Sequence, residues 1–74
     1  MPPVPLLSGR DVVKVFESLG WHASRQNSSH IVMVKEGHKA SLSVPDHKEV
    51  ARGTLRGLLR SANLSVTEFV EAMK

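Results

Sequence analysis

The sequence predicts an α+β fold with the element order α-β-β-β-α-α, in which a three-stranded antiparallel sheet carries its helices on one face. Apolar residues recur at helical spacing at both ends of the chain, whereas apolar and polar residues alternate in the middle. Residues that cap helices precede the first and the last helical segments. A chain of 74 residues suits one small domain, so we expect a single domain over residues 1–74.

The first helix is expected to follow a proline-rich extended arm, residues 1–7. Ser8 can cap this helix, and Asp11 stands three residues later, where a capping-box acid is found. Gly20 can end the helix in the left-handed conformation that glycine adopts at little cost. The apolar stripe between these two signals consists of Val12, Val13, Phe16 and Leu19.

Three short strands are expected in the middle of the chain, in the segments WHASRQ, HIVMVK and ASLSV. The polar residues NSS favour a turn between the first two strands, and Gly37 favours a turn between the last two. The third segment alternates, with Ala40, Leu42 and Val44 on one face and serines on the other, and Pro45 is expected to stop it. This alternation is typical of a sheet with one buried side and one solvated side.

The second strand leaves one choice open, because both of its alternating sets are apolar. Either Ile31 and Met33 or Val32 and Val34 could face the helices. Since successive side chains point to opposite faces of a strand, this choice also decides which face presents His30.

Two further helices are expected after the sheet. Asn63 can end the first of them, and Ser65 with Glu68 predicts a capping box ahead of the second. The first should bury Leu55, Leu58, Leu59 and Ala62. The second should bury Val66, Phe69, Val70 and Met73. Arg52, Arg56 and Arg60 are spaced by four and would line one helix face, which is most often a solvated face.

Composition narrows the range of functions. The chain has no cysteine, which excludes a disulfide and a thiolate zinc site. Its net charge of +3 suits a polyanionic partner such as RNA, or an acidic protein. Neither a signal-peptide pattern nor an apolar run of membrane-spanning length is recognisable, so we expect a cytoplasmic protein without a membrane partner.

His30 is the main candidate for chemistry, because it follows the polar turn Asn27-Ser28-Ser29, whose amides and hydroxyls could hold a phosphate oxygen. An imidazole exchanges protons near neutral pH and could activate a ribose 2′-hydroxyl without a metal ion. The alternative is a histidine that merely opens a strand, which is the commoner role of an isolated histidine.

The other histidines are weaker candidates. His47 could be a second acid–base group, or its ring could bond a backbone carbonyl and hold a turn; we favour the structural role. His22 and His38 are expected to be solvated. No helical spacing and no nearby carboxylate support a metal site, so no cofactor is expected. Trp21 is expected to be buried rather than to stack on a base.

Four segments, LSGRDVVKVFESLGW, RQNSSH, SVPDHKE and RGTLRGLLRSANLSVTEFVEAM, resemble in order and spacing the HicA toxins of bacterial and archaeal toxin–antitoxin pairs. The resemblance runs roughly from Ser8 to Met73. It implies a fold like that of double-stranded-RNA-binding domains. It also implies an mRNA interferase that cuts RNA without the ribosome and is silenced by a HicB antitoxin covering its active face.

The resemblance also implies a catalytic residue. The family's catalytic histidine lies in a Gly-Ser-His motif, which corresponds here to Ser28-Ser29-His30. His30 is therefore the implied catalytic residue, and Ser28 departs from a glycine that would permit positive φ. The VPDH stretch, residues 44–47, matches a recurrent family element for which no role is transferred.

Together these observations predict a single HicA-like toxin domain that is monomeric on its own and cleaves mRNA without a metal ion. His30 would act as general acid or base, and Asn27, Ser28 and Ser29 would position the phosphate. The cations expected to attract the RNA backbone are Arg25, Lys35 and Lys39. The last helices lack a lysine cluster, so recognition of duplex shape is not assumed. The alternatives are a non-catalytic RNA- or protein-binding module of the same fold, and a decayed toxin that only binds its antitoxin.

Overall fold

The structure is a computed structural model that describes residues 3–74. Within that range the helices and strands follow the predicted order, which confirms the α+β class and agrees with the double-stranded-RNA-binding-like fold. The elements are α1 Gly9–Ser18, β1 His22–Asn27, β2 His30–Val34, β3 Leu42–Pro45, α2 Arg52–Ser61 and α3 Val66–Ala72. None of these helices is long and apolar enough to cross a membrane.

Helix α1 begins and ends where the sequence predicts. The Ser8 hydroxyl accepts a hydrogen bond from the Asp11 amide at 3.1 Å, which satisfies one of the free N–H groups of the first turn. Gly20 follows the helix with φ of +97°. The most deeply buried positions are Val12, Val15 and Phe16, whereas the predicted stripe members Val13 and Leu19 are only half-buried.

The sheet has the strand order β1-β2-β3, and both pairs are antiparallel. In β2, Ile31 and Met33 are buried against the helices, while Val34 is 40 % exposed. This settles the choice that the sequence leaves open. His30, Val32 and Val34 therefore share the opposite face of the sheet, which we call the open face.

Strand β3 confirms the predicted alternation only in part. Leu42 and Val44 are buried and Ser43 is exposed. Ala40 was expected on the buried face, but it precedes the strand and is exposed. Pro45 ends the strand as predicted: it is the last residue of β3 and lies opposite His30 in the register.

The last two helices close the core over the sheet. All four predicted positions of α2 are buried, and Asn63 follows the helix with φ of +58°. Ser65 and Glu68 form the predicted capping box, with reciprocal hydrogen bonds of 3.0 and 2.9 Å. Met73 was expected to face inward but is 41 % exposed, because α3 ends at Ala72 and Met73 is its C-cap.

The described part of the N-terminal arm lies against the rest of the domain. Val4 is buried, and its carbonyl accepts a hydrogen bond of 2.9 Å from the Arg52 guanidinium. The Val50 amide donates to the Leu7 carbonyl at 2.7 Å. The prediction of an extended arm also covers residues 1–2, which lie outside the described range.

An aromatic cluster forms the centre of the core. The Phe16 ring lies 6.1 Å from the Trp21 ring and 5.4 Å from the Phe69 ring, measured between centroids. Trp21 is 1 % exposed, which confirms its predicted burial and excludes it as a stacking surface for a base. Over residues 3–74 the core therefore covers the helix side of the sheet, and the open face is the side of the sheet that a ligand can reach.

Candidate active site

His30 is the first residue of the central strand and is held from both sides. It lies opposite Asn27 of β1 and opposite Pro45 of β3. Its side chain is exposed on the open face. The sheet therefore fixes the His30 backbone while leaving the imidazole accessible to a large substrate.

The turn before His30 orients its ring. Ser28 has φ of +23°, at the edge of the left-handed region that favours glycine. The Ser29 hydroxyl lies 3.2 Å from His30 Nδ1, and it donates or accepts according to the ring's tautomer. Because Nδ1 is engaged in this way, Nε2 is the ring nitrogen left to exchange a proton with a substrate.

The loop after β3 is tied to this turn and to α1. The Asp46 amide donates to the Ser29 carbonyl at 2.8 Å. The Asp46 carboxylate accepts a hydrogen bond of 3.1 Å from the Gln26 side chain and lies 3.4 Å from the Arg10 guanidinium. Polar groups from α1, β1 and the loop thus hold the loop after β3 in a fixed position next to the turn that precedes His30.

Gly9 makes this arrangement possible. Its amide donates to the His47 carbonyl at 2.9 Å, and a Cβ at position 9 would overlap the Pro45 carbonyl oxygen. Only glycine allows the first turn of α1 to come so close to the loop. No local pattern in the sequence predicts that Gly9, Arg10, Gln26 and Asp46 meet, because their meeting depends on tertiary packing. The recurrent VPDH stretch is the signal that points to this loop.

The His47 ring does not hold a turn, which is the structural role that the sequence favours. Its ring is exposed and makes no hydrogen bond to any residue in the described range; the backbone carbonyl of His47 holds the turn instead. The His47 ring lies 6.5 Å from the His30 ring, with 58° between their planes. Two exposed imidazoles therefore lie close together at the end of the sheet.

The predicted cations fall into two groups. Arg25 lies opposite Val32 in the register, so it belongs to the open face with His30. Lys35 follows the far end of β2, about 16 Å from His30 at the usual rise per residue, and Lys39 lies in the connection after it. The Lys35 side chain also passes close to Gly20, away from the open face. The structure thus brings Arg25, Asn27, Ser28 and Ser29 near His30 but not Lys35 or Lys39.

The remaining arginines and histidines lie elsewhere. Arg52, Arg56 and Arg60 are exposed on α2, in the helix layer behind the sheet. His22 is exposed, as predicted. Among residues 3–74 no group of three potential metal ligands occurs.

The prediction that His38 is solvated was wrong. His38 is half-buried, its Nε2 donates to the Ser61 carbonyl at 2.8 Å, and its ring packs edge-on against Trp21 at 4.9 Å. The connection between β2 and β3 is longer than a tight hairpin, and it folds back over the core. His38 thereby contributes to packing at the end of α2.

The fold and this site define a small α+β protein with an exposed histidine pair at one end of its sheet. A family model described as HicA toxin of bacterial toxin-antitoxin matches residues 9–64, which include both histidines and the turn before His30. The chain therefore belongs to the HicA toxin family and is the toxin of a toxin–antitoxin system, with an antitoxin as its partner. No curated protein matches the chain in a sequence comparison.

Proposed function

We propose that this toxin is a ribosome-independent mRNA endoribonuclease in which His30 is a general acid–base catalyst. The observation that carries the proposal is the exposed His30 ring on the open face, with the Ser29 hydroxyl 3.2 Å from its Nδ1. An imidazole that is accessible, oriented and held by a central strand is suited to proton transfer on a large substrate. Membership of the HicA family supports the same conclusion.

The reaction needs two proton transfers and no metal ion. A base removes the proton from a ribose 2′-hydroxyl, and the 2′-oxygen forms a bond to the adjacent phosphorus. The bond from phosphorus to the 5′-oxygen breaks, and an acid protonates that oxygen. The products are a 2′,3′-cyclic phosphate and a 5′-hydroxyl. His30 Nε2 would take part in one of these transfers.

The residues around His30 are suited to holding the RNA. Asn27 at the end of β1 and the turn residues Ser28 and Ser29 are exposed next to His30 in the chain, and their amides and hydroxyls can donate hydrogen bonds to a phosphate oxygen. Arg25 adds a positive charge on the same face. Lys35 and Lys39 lie beyond the far end of β2, outside the sheet, where they would attract the backbone of a longer strand.

A HicB-type antitoxin would silence the toxin by covering the open face. The net charge of +3 favours an acidic partner surface, since complementary charge speeds association and selects partners. An antitoxin seated there would block access to His30 without any change in the toxin's fold. Competition between antitoxin and RNA for this face is the expected behaviour.

The proposal is tested with His30→Ala, and with His22→Ala as a matched control on the same sheet. His30→Ala should abolish RNA cleavage and growth arrest, while circular dichroism and the melting temperature stay unchanged because the ring is exposed. His22→Ala should keep both activities. Cleavage by pure His30→Ala protein would contradict the catalytic assignment.

The second candidate function is that of a module that binds RNA or protein and catalyses no reaction. The open, shallow site is also suited to binding alone. The pH dependence separates the two: a catalyst that uses imidazole loses rate as pH takes the ring out of its active form. A binder shows no turnover at any pH and only salt-dependent affinity.

A further inference from the structure

We propose that His47 is the second acid–base group of the reaction, paired with His30 across the scissile phosphate. This inference rests on the proposed endoribonuclease function and deepens it. One histidine would take the proton from the 2′-hydroxyl, and the other would give a proton to the departing 5′-oxygen.

The spacing of the two rings lets one phosphate contact both of them. A centroid separation of 6.5 Å is too long for a hydrogen bond between the imidazoles. A phosphodiester that lies over the exposed edges of both rings can bring its oxygens within hydrogen-bond reach of a nitrogen on each ring, about 2.6–3.2 Å. Both rings are exposed, so RNA can reach the pair without a change of fold.

The geometry of the reaction calls for two groups rather than one. The attacking 2′-oxygen and the leaving 5′-oxygen stand on opposite sides of the phosphorus in an in-line displacement. A single imidazole beside one of these oxygens is poorly placed to reach the other. His30 and His47 come from different elements, β2 and the loop after β3, and can therefore approach the phosphate from two directions.

The backbone that carries His47 is held firmly. Its carbonyl accepts the Gly9 amide, and the neighbouring Asp46 is bonded through its amide to Ser29 and through its carboxylate to Gln26. The loop therefore keeps a fixed distance from the turn that carries His30. This anchoring explains how a solvent-exposed ring on a loop can be positioned for catalysis.

The surroundings of His47 favour an anion. The groups around it are His30 from β2, Ser8 at the cap of α1, Arg10 from α1, and Asp46 and Lys48 from its own loop. All of these except His30 line, with His47, a shallow pocket of about 220 Å³. The Asp46 carboxylate is paired with Arg10 and Gln26, so the charges of Asp46 and Arg10 offset one another, and the positive charge of Lys48 can attract a phosphate next to the scissile one.

The first test compares His47→Ala, His30→Ala and the control His22→Ala on one short RNA. Loss of a general acid–base group lowers the rate by about 10²- to 10⁴-fold, and we expect a fall of this size for the first two variants only. Binding of an uncleavable 2′-deoxy analogue should be unchanged in His47→Ala. Cleavage by His47→Ala at the wild-type rate, or a defect confined to binding, would overturn the pairing.

The second test assigns the roles with an RNA whose scissile 5′-oxygen is replaced by sulfur. A thiolate leaves without protonation, so this substrate should restore the rate of the variant that lacks the acid and not of the variant that lacks the base. Restoration in one of the two variants supports the pairing. Restoration in neither or in both would overturn it.

The pH–rate profile separates failure of this inference from failure of the proposed function. Two imidazoles give a bell-shaped profile, and His47→Ala should lose one limb of it. An unchanged bell in His47→Ala would remove His47 from the mechanism and leave His30 in place. Full activity in His30→Ala, or no cleavage by the wild-type toxin, would instead refute the proposed function.

Discussion

Gly9 and Pro45 lie so close together that no side chain can stand at position 9, because a Cβ there would overlap the Pro45 carbonyl oxygen. This contact joins the first turn of α1 to the end of β3 and so places the His47 loop next to His30. Gly9→Ala should therefore force the two segments apart. We expect a loss of about 1–3 kcal/mol in the free energy of unfolding, the usual cost of overpacking, measured by urea denaturation. RNA cleavage should fall as well.

Gly57→Ala is the matched control for that substitution. Gly57 lies inside α2, and a Cβ there would meet no other heavy atom within 4 Å. Alanine should stabilise the helix by about 1 kcal/mol, because glycine is a poor helix former. Equal destabilisation by both substitutions would show that close approach is not what requires glycine at position 9.

His38→Ala should destabilise the fold without affecting catalysis. The substitution removes the hydrogen bond to the Ser61 carbonyl and the edge contact with Trp21. Together these losses should cost about 1–2 kcal/mol in urea denaturation. His22→Ala, at an exposed position, should change stability by less than about 0.5 kcal/mol. A marked loss of RNA cleavage by folded His38→Ala would argue that this histidine acts in the site.

Ser28→Gly should relieve strain in the turn before His30. A non-glycine residue with φ of +23° is disfavoured, by about 1–2 kcal/mol in the fully left-handed conformation. Glycine offsets part of that gain because it has more freedom in the unfolded chain, by about 0.5–1 kcal/mol. We expect a net stabilisation of about 0.5 kcal/mol by denaturation, with cleavage close to the wild-type rate because the turn amides and the Ser29 hydroxyl remain to hold the phosphate. Slower cleavage would indicate that the Ser28 hydroxyl contacts the substrate.

Arg25→Ala and Lys39→Ala should differ on a short RNA. Arg25 shares the open face with His30, whereas Lys39 lies beyond the far end of β2. Arg25→Ala should weaken binding. It should also reduce the slope of log affinity against log salt concentration by about one, the change expected when one phosphate contact is lost. Lys39→Ala should leave both nearly unchanged on the short RNA and weaken binding only of longer strands. Fluorescence anisotropy across a salt series measures both effects.

Much of the fold could be predicted because its signals are local. Caps at Ser8 and Ser65, apolar spacing in the helices and alternation in β3 each depend on a few neighbouring residues. The face of β2 could not be predicted, since both of its alternating sets are apolar. Only the packing of Ile31 and Met33 against the helices decides it.

The site could be predicted only in part for a similar reason. His30 and its serine turn are contiguous in sequence, so a short motif suffices to single them out. The approach of His47 depends on Gly9, which lies 38 positions away and acts through backbone contacts. The prediction that His38 is solvated was wrong for the same reason. Its partners Trp21 and Ser61 are distant in sequence and meet His38 only in the folded chain.

The burial of Trp21 offers an optical probe of this molecule. It is the single tryptophan of the chain, and it lies between Phe16 and His38, beneath the loop that joins β2 to β3. Its indole emission should shift to longer wavelength when water reaches the core, so one fluorophore reports unfolding without any label. Since the indole lies on the helix side of the sheet, RNA or antitoxin arriving on the opposite side should leave that signal undisturbed.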